Sequence, residues 1–272
     1  MSQFKQNPQP EANKQPVELV NHGNKRIDNY FWMNKRDSKE VLDYIQQENN
    51  YSASYFKAIE GLTNELLDEF EQRIDPNDIS APFKMNGKVY QYRNIEGKDY
   101  REIIELKSTG NTLFFDENER AKGHEYYSLG DFSNSNNNEL LAFSEDIIGR
   151  RNYTIRIRIN ATNKLLKDEV KNTDGSVVWA NDNKTFFYVR KDETTLREFQ
   201  VYRHVLGTKA SEDELIFEVN DERFAVYINK SFDDRYVLIN TTSTTTSEVL
   251  FIDANQPQNK PQLFLARSQD HL

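Results

Sequence analysis

Cysteine is absent from the 272-residue chain, so disulfide bonds, thiolate zinc sites and a cysteine nucleophile are excluded. Long apolar runs are also lacking at the N-terminus, where residues 1–17 are mostly Gln, Asn, Lys and Pro. This composition argues against a secretory signal or membrane anchor in that segment. We therefore expect a soluble, cytoplasmic protein in which residues 1–17 form a disordered tail.

Basic residues are too few for a nucleic-acid binder. There are 35 Lys and Arg against 44 Asp and Glu, which gives a net charge of −9, and no long basic run occurs. Proteins that follow a phosphate backbone need a basic stripe. Aromatic residues reach 12%, with only 10 Gly and 7 Pro, and this balance favours a β-rich globular protein of one or two domains.

The stretch from Asp37 to about Arg73 predicts helix, within an N-terminal helical arm over residues 18–77. Asp37 and Glu40 have the spacing of a capping box. We expect breaks at Asn49-Asn50 or Gly61. The nine acids and three bases of this stretch fit the solvated outer face of a packed helix, with a dedicated cation-binding surface as the alternative. Apolar residues at three- and four-residue steps, or sums of them, form one stripe: Val41, Ile45, Tyr55, Ile59, Leu62, Leu66 and Phe70.

From Ile79 onward, short β-branched and aromatic runs alternate with Asn, Asp, Gly and Ser clusters, a pattern typical of β-hairpins. No long helical stripe interrupts them, so residues 78–272 are predicted to be mainly β. The predicted strands are Val89–Tyr92, Tyr100–Leu106, Leu140–Phe143, Tyr153–Ile159, Thr185–Val189, Phe199–Val205, Glu214–Glu218, Tyr236–Asn240, Val249–Ile252 and Gln262–Leu265.

These runs repeat in two series that stay in phase. Tyr90, Ala142, Tyr188 and Leu238 mark one kind of strand, and Ile104, Ile155, Val201 and Val249 mark the next. The later copies share polar turns at 133–137, 181–184 and 231–235. A period of about 45 to 50 residues is the size of one β-propeller blade. We count four units and leave the completeness of the last open. A small closed ring and an open arc of a larger propeller both satisfy this count.

Motifs that would support catalysis are missing. The chain contains no Gly-x-Ser-x-Gly sequence, hence no nucleophile elbow. Glu117 and Glu119 lie in a polar turn and are poor catalytic candidates. We predict no catalytic residue, no metal ligand and no cofactor, and substrate-binding residues are unknown. The four histidines lack the spacing of a zinc site: His22, His124, His204 and His271.

Two further features have competing interpretations. Gly149-Arg150-Arg151 could clamp an anion, since guanidinium groups bind phosphate and carboxylate bidentately. The preferred interpretation is that one of these arginines pairs with Asp146 or a neighbouring blade. Trp32 and Trp179 are interpreted as core or interface residues rather than ligand platforms.

Several segments resemble one known family in order along the chain. These are Arg26–Met33, Val41–Tyr51, Ala121–Gly130, Gly149–Arg156, Val178–Asp182, Val201–Thr208 and Thr245–Val249. They are similar to the oligopeptidase B branch of the prolyl oligopeptidase family of serine peptidases. The resemblance covers about residues 18–272, and the segment from Leu263 to His271 resembles the middle of the family's propeller.

The resemblance implies a serine oligopeptidase that cleaves short peptides after Arg or Lys. The family combines a helical arm, a seven-bladed propeller that restricts access, and an α/β-hydrolase domain with a Ser, Asp and His triad. Residues 78–272 then correspond to an incomplete propeller of about four blades, and the expected partners are the missing C-terminal blades and hydrolase domain. Short basic peptides would bind only the complete enzyme, and this chain alone is predicted to be inactive. The alternative is a stand-alone propeller-like binding protein without peptidase activity. We expect no nucleic-acid or membrane partner.

Overall fold

A computed structural model describes residues 8–268. Part of the predicted disordered tail (residues 1–7) and His271 lie outside these residues. The chain separates into two compact units on either side of the Asp75–Pro76 peptide bond. The first unit contains both long helices, and the second contains nearly all of the β-structure.

The first unit begins with a hairpin of β1 (Val17–Asn21) and β2 (Asn24–Asp28). Its two-residue turn, His22-Gly23, has positive φ at both positions, as the turns favoured in tight hairpins require. A short 3₁₀ helix follows at Phe31–Asn34. There Trp32 is buried, and its indole Nε1 donates a 2.9 Å hydrogen bond to the carbonyl of Asn13. Trp32 is therefore a packing residue, as predicted.

Helix α1 spans Lys39–Lys57 and helix α2 spans Glu60–Glu71. The capping box predicted from Asp37 is wrong by one residue, because Ser38 is the N-cap and its hydroxyl accepts from the Val41 backbone N–H. The helices separate at 58–59, next to the predicted break at Gly61. Asn49-Asn50 lies inside α1 and does not interrupt it.

Within the described residues, fifteen strands form the second unit, in three antiparallel sheets. The first sheet is β3–β6, the second is β7–β13, and the third is β14–β17. One short helix, α3, and a 3₁₀ turn at Ala210–Glu212 interrupt the strands. In order, the elements are β3 (Phe83–Met85), β4 (Lys88–Arg93), β5 (Glu102–Leu106), β6 (Thr112–Asp116), α3 (Glu117–Ala121), β7 (Ser128–Asn134), β8 (Leu140–Asp146), β9 (Tyr153–Ile159), β10 (Leu165–Trp179), β11 (Thr185–Lys191), β12 (Glu198–Val205), β13 (Glu214–Glu218), β14 (Ala225–Lys230), β15 (Tyr236–Thr242), β16 (Ser247–Asp253) and β17 (Gln262–Leu265).

The long strand β10 explains the seven-stranded sheet. Its first half pairs with β9, placing Val170 opposite Ile155, and its second half pairs with β11, placing Val177 opposite Tyr188. Gly175 lies at the change of partner with a φ of 103°, a conformation that favours glycine. The sheet is thus two blades sharing one strand, and the unit has four blades: β3–β6, β7–β10, β10–β13 and β14–β17. The predicted partial propeller is confirmed, and its sheets do not close into a ring.

Each junction between neighbouring blades is filled by one apolar cluster. Successive side chains of a strand point to opposite faces, so Leu141 and Phe143 pack towards the first blade whereas Ala142 packs towards the third. Fully burying one such aromatic or aliphatic side chain contributes about 1.5–3 kcal/mol. Trp179 is buried in the second junction, in line with its predicted packing role. The largest cluster, at the third junction, is Val178, Ala180, Phe187, Val189, Val201, Val219, Phe224, Val226, Ile228, Val237, Ile239, Ile252 and Ala254.

The polar turns identified from the sequence join neighbouring blades. Between the first two blades, the Asn86 amide donates to the carbonyl of Asn134 at 2.8 Å. Between the second and third, the backbone N–H of Asn137 donates to the Asn183 side chain at 2.8 Å. The Asn181 amide then reaches the fourth blade. Their repetition in the sequence therefore has a structural reason.

Candidate interaction surfaces

The acidic pair Glu117 and Glu119 lies on α3 and is held in separate ion pairs. Glu117 is buried and accepts a hydrogen bond from Arg101 Nε at 2.8 Å, whereas Glu119 is exposed and pairs with Lys122. Burial raises the pKa of Glu117, and the Arg101 charge opposes that rise. Because the two carboxylates have different partners, they do not form a paired acid–base site.

His204 is fully buried between two carboxylates. Its Nδ1 lies 2.7 Å from Asp213 Oδ1 and its Nε2 lies 3.2 Å from Asp168 Oδ1. The hydroxyl of Tyr188 donates to the other oxygen of Asp213 at 2.8 Å. Burial lowers the pKa of His204, but the two aspartates outweigh this effect and raise it above the ordinary value.

This histidine cluster fastens two blades together. Asp168 lies on β10, His204 on β12, and Asp213 directly before β13. No serine or threonine hydroxyl is among the partners of His204 in the described residues, so the cluster lacks the nucleophile that a catalytic triad requires. In the sequence, His204 is recognisable only as a histidine outside any metal-binding motif. The other two described histidines, His22 and His124, are exposed.

The turn at Gly149-Arg150-Arg151 is organised by Asp146. The Asp146 carboxylate accepts hydrogen bonds from the backbone N–H groups of Ile148, Gly149 and Arg151, at 2.9, 3.1 and 2.7 Å. Arg151 therefore contacts Asp146, one of the two pairings expected, but it does so through its backbone N–H rather than its guanidinium group. Its carbonyl also accepts a hydrogen bond from Lys191 on β11 of the next blade.

An aromatic surface covers one face of the last blade. We call Tyr227, Tyr236, Phe251 and Phe264 the outer aromatic face. The ring centroids of Tyr236 and Phe251 are 5.2 Å apart, and those of Phe251 and Phe264 are 6.4 Å apart. Tyr227 is 48% exposed and Phe264 is 73% exposed. None of the four belongs to a buried cluster between blades.

A second apolar surface lies on the helices of the first unit. In α2 no residue is buried, and in α1 only Val41 is. The stripe predicted from the sequence is otherwise exposed in the described chain. Its exposed members are Ile45, Tyr55, Ile59, Leu62, Leu66 and Phe70. Contiguous exposed apolar surface of this kind is typical of interaction sites.

The described residues contain no group of three or more His, Asp or Glu side chains arranged to hold a metal ion. Within residues 8–268, no helix combines the length and apolar character needed to cross a lipid bilayer.

The four blades, shared strand and preceding helices together define the N-terminal part of a peptidase propeller. The model of "Prolyl oligopeptidase, N-terminal beta-propeller domain" matches residues 9–272. The chain belongs to this family of serine peptidases. Its homologues include oligopeptidase B, protease 2 and prolyl oligopeptidases, which confirms the resemblance inferred from the sequence.

Two curated relatives give the degree of similarity. Dipeptidyl aminopeptidase BI of Pseudoxanthomonas mexicana is 36% identical over 91% of this chain and 37% of its own length. Protease 2 of Moraxella lacunata is 31% identical over 91% of this chain and 37% of its own length. The chain thus spans little more than a third of these relatives.

The fold agrees with a solved structure of the same family. Oligopeptidase B from Leishmania major superposes with a TM-score of 0.90 and 27% identity, covering 97% of this chain and 40% of that protein. The similarity extends over both units of the chain.

Proposed function

We propose that the chain is the N-terminal propeller portion of a serine oligopeptidase, where it shields the active site and limits substrate size. The observation that carries this proposal is the 0.90 TM-score with oligopeptidase B over 97% of the chain. In this proposal, a C-terminal α/β-hydrolase part supplies the Ser, Asp and His triad. This chain supplies no catalytic residue. The absence of cysteine supports a cytoplasmic location.

The uncovered surfaces support a requirement for further blades. Each of the three junctions between the four blades contains a buried cluster, whereas the outer aromatic face has none. A fifth blade packed there would bury Tyr227 and Phe264. The exposed α1–α2 stripe is in turn a surface for the hydrolase part.

Cleavage after Arg or Lys is our first candidate specificity, because the chain resembles oligopeptidase B. Release of dipeptides is the second candidate, because a 36% identical relative is named a dipeptidyl aminopeptidase. The two differ chemically, since a dipeptidyl aminopeptidase acts at a free N-terminus and an endopeptidase accepts a blocked one. A stand-alone binding role without peptidase activity is the alternative to both.

The test is reconstitution of activity from two parts. The purified 272-residue chain is assayed alone and after co-expression with the C-terminal remainder encoded in the same genome. An N-blocked Arg-Arg fluorogenic substrate reports the endopeptidase, and a free-amine dipeptide substrate reports the dipeptidyl aminopeptidase. We expect no turnover by the chain alone and turnover of one substrate after co-expression. If neither substrate is turned over, by the chain alone or after co-expression, the result contradicts the peptidase proposal and favours the binding role.

A variant of the outer aromatic face tests how the parts join. Phe264→Asp places a charge where a further blade would pack, and we expect it to reduce reconstituted activity and co-purification of the two parts. Phe232→Asp is the matched control, since Phe232 is fully exposed in the turn before β15. Equal losses in both variants would contradict this role for the face.

A further inference from the structure

Arg158 is a buried cation without a counter-ion. It lies on β9, is 8% exposed, and forms no ion pair with any carboxylate in residues 8–268. It donates to the Phe114 carbonyl at 2.7 Å and to the Asn160 side chain at 3.2 Å, and its Nε has no partner. Burying a charge is costly unless the charge is paired.

The surroundings of Arg158 compensate its charge only weakly. Its guanidinium carbon lies 4.9 Å from the ring centroid of Phe114 and 5.5 Å from that of Phe115. Burial lowers the pKa of Arg158 to about 10, and Tyr90 opposes this effect. The guanidinium is therefore still protonated at neutral pH.

The corresponding position in the next blade does have carboxylate partners. His204 follows Arg158 by 46 residues, the step between Ile155 and Val201. Both residues lie on the third strand of their blade opposite a buried apolar residue, Leu141 for Arg158 and Phe186 for His204. His204 lies between two aspartates. The second blade thus has the cation of this repeated position but not its anion.

Two clefts between the first and second blades meet at this arginine. Their volumes are about 640 and 300 Å³, and both are lined by Leu113, Phe114, Arg158 and Asn163. The clefts also have apolar walls, because Leu113 is 54% exposed and Leu165 is 43% exposed. A ligand here would meet a cation beside aliphatic side chains.

The other cations that line the clefts each have a carboxylate partner. Lys88 and Lys107 share Glu105, at 3.3 and 3.0 Å, and Arg120 pairs with Glu145 through a hydrogen bond of 2.6 Å. Among the described residues, Arg158 is therefore the cation of these clefts that has no carboxylate partner.

We propose that Arg158 is the anchor of a peptide-binding site that takes a carboxylate next to an apolar side chain. The carboxylate would accept from the free N–H groups of the guanidinium, and the apolar group would lie against Leu113 and Leu165. The carboxylate is either the C-terminus of a short peptide or an acidic side chain within one. This site does not depend on the peptidase proposal, because all of its residues lie on the first two blades.

Ligand-detected NMR on the 272-residue chain tests this site at constant ionic strength. N-acetylleucine is the probe for a C-terminal carboxylate, and N-acetyl-aspartyl-leucinamide is the probe for a side-chain carboxylate. N-acetylleucinamide is their neutral counterpart. We expect at least one acidic probe to bind about tenfold or more tightly than the neutral one, since a charge-assisted hydrogen bond has that effect on affinity. Equal binding of all three to the wild-type chain would overturn the proposal.

Variants locate the binding. Arg158→Met is expected to remove the preference for the acidic probe. Arg158→Lys is expected to retain part of it, because lysine keeps the charge but cannot donate two parallel hydrogen bonds to a carboxylate. Arg101→Met is the matched control: Arg101 also lies over an aromatic ring, at 4.0 Å from Tyr92, but is paired with Glu117. Preference that survives in Arg158→Met and is lost in Arg101→Met would contradict the assignment.

Discussion

The buried His204 cluster gives a sharp prediction for stability. In His204→Gln, the amide nitrogen can take the place of only one ring nitrogen, so either Asp168 or Asp213 loses its hydrogen bond to residue 204. Each carboxylate keeps another donor, the Gly207 backbone N–H for Asp168 and the Tyr188 hydroxyl for Asp213. Removing one member of a buried ion pair costs about 3–5 kcal/mol, and we expect a loss near about 3 kcal/mol because one hydrogen bond survives. Asp168 and Asp213 are 8% and 1% exposed at the side chain, so water cannot readily replace the lost donor.

The pH dependence follows from the raised pKa of His204. A group whose folded pKa exceeds its unfolded value near 6.5 stabilises the fold fully below that unfolded value. The contribution is lost as the pH rises through the folded pKa. The stability difference between wild type and His204→Gln should therefore be largest near about pH 6 and smaller near about pH 9.

The assay is urea unfolding followed by tryptophan fluorescence in a Trp32→Phe background. Trp179 then reports alone, from a position 5.5 Å from the ring of Phe186, which itself lies 4.9 Å from His204. His124→Gln is the control, since His124 is exposed and a surface change of this kind usually stays within about 0.5 kcal/mol. A difference that is constant or grows with pH would refute the reasoning.

Further predictions concern packing and association. Gly130→Ala should destabilise the fold by about 1–3 kcal/mol, because a Cβ there would lie 2.3 Å from Ser144 Oγ and 2.9 Å from the Tyr153 ring; urea unfolding measures this. Gly61→Ala, in the open space of α2, should instead stabilise by up to about 1 kcal/mol. We also expect the isolated chain to self-associate and Phe264→Asp to weaken that association, measured by light scattering; a monodisperse wild-type monomer with a sharp cooperative melt would contradict this.

The middle strands of each blade could be predicted because they are rich in β-branched and aromatic residues. All ten predicted runs coincide wholly or partly with strands, and the repeat located four blades. The strands missed include the three-residue β3 and strands with polar residues in their second half. Strands β7 and β14, for example, carry Asp131 and Asn229. Strand β10 was missed because Asn172 and Gly175, both at positive φ, look like turn residues inside a continuous strand.

The candidate sites were harder to predict. The three- and four-residue spacing predicted the members of the α1–α2 stripe but left open what covers them, because periodicity shows only which side chains share a face. No sequence motif marks Arg158 as a binding residue. The alternation along β9 shows only that its arginines and isoleucines lie on opposite faces of the strand. Aligning the repeats would have placed it with His204, but not shown which of the two has carboxylate neighbours.

The three blade junctions indicate why the unsatisfied groups occur where they do. Each junction has a sealed apolar cluster, and the second adds a fully paired charge at His204. The first has the same repeated cation, Arg158, without its anion, and the outer aromatic face has neither apolar nor polar cover. Burying an unpaired charge is unfavourable, and so is exposing an aromatic surface to water. Each of these features therefore marks a place where another molecule or segment would stabilise the chain. The Arg158 site binds an anion, whereas the outer aromatic face packs against apolar groups. Phe264→Asp should therefore leave binding of the carboxylate probes unchanged.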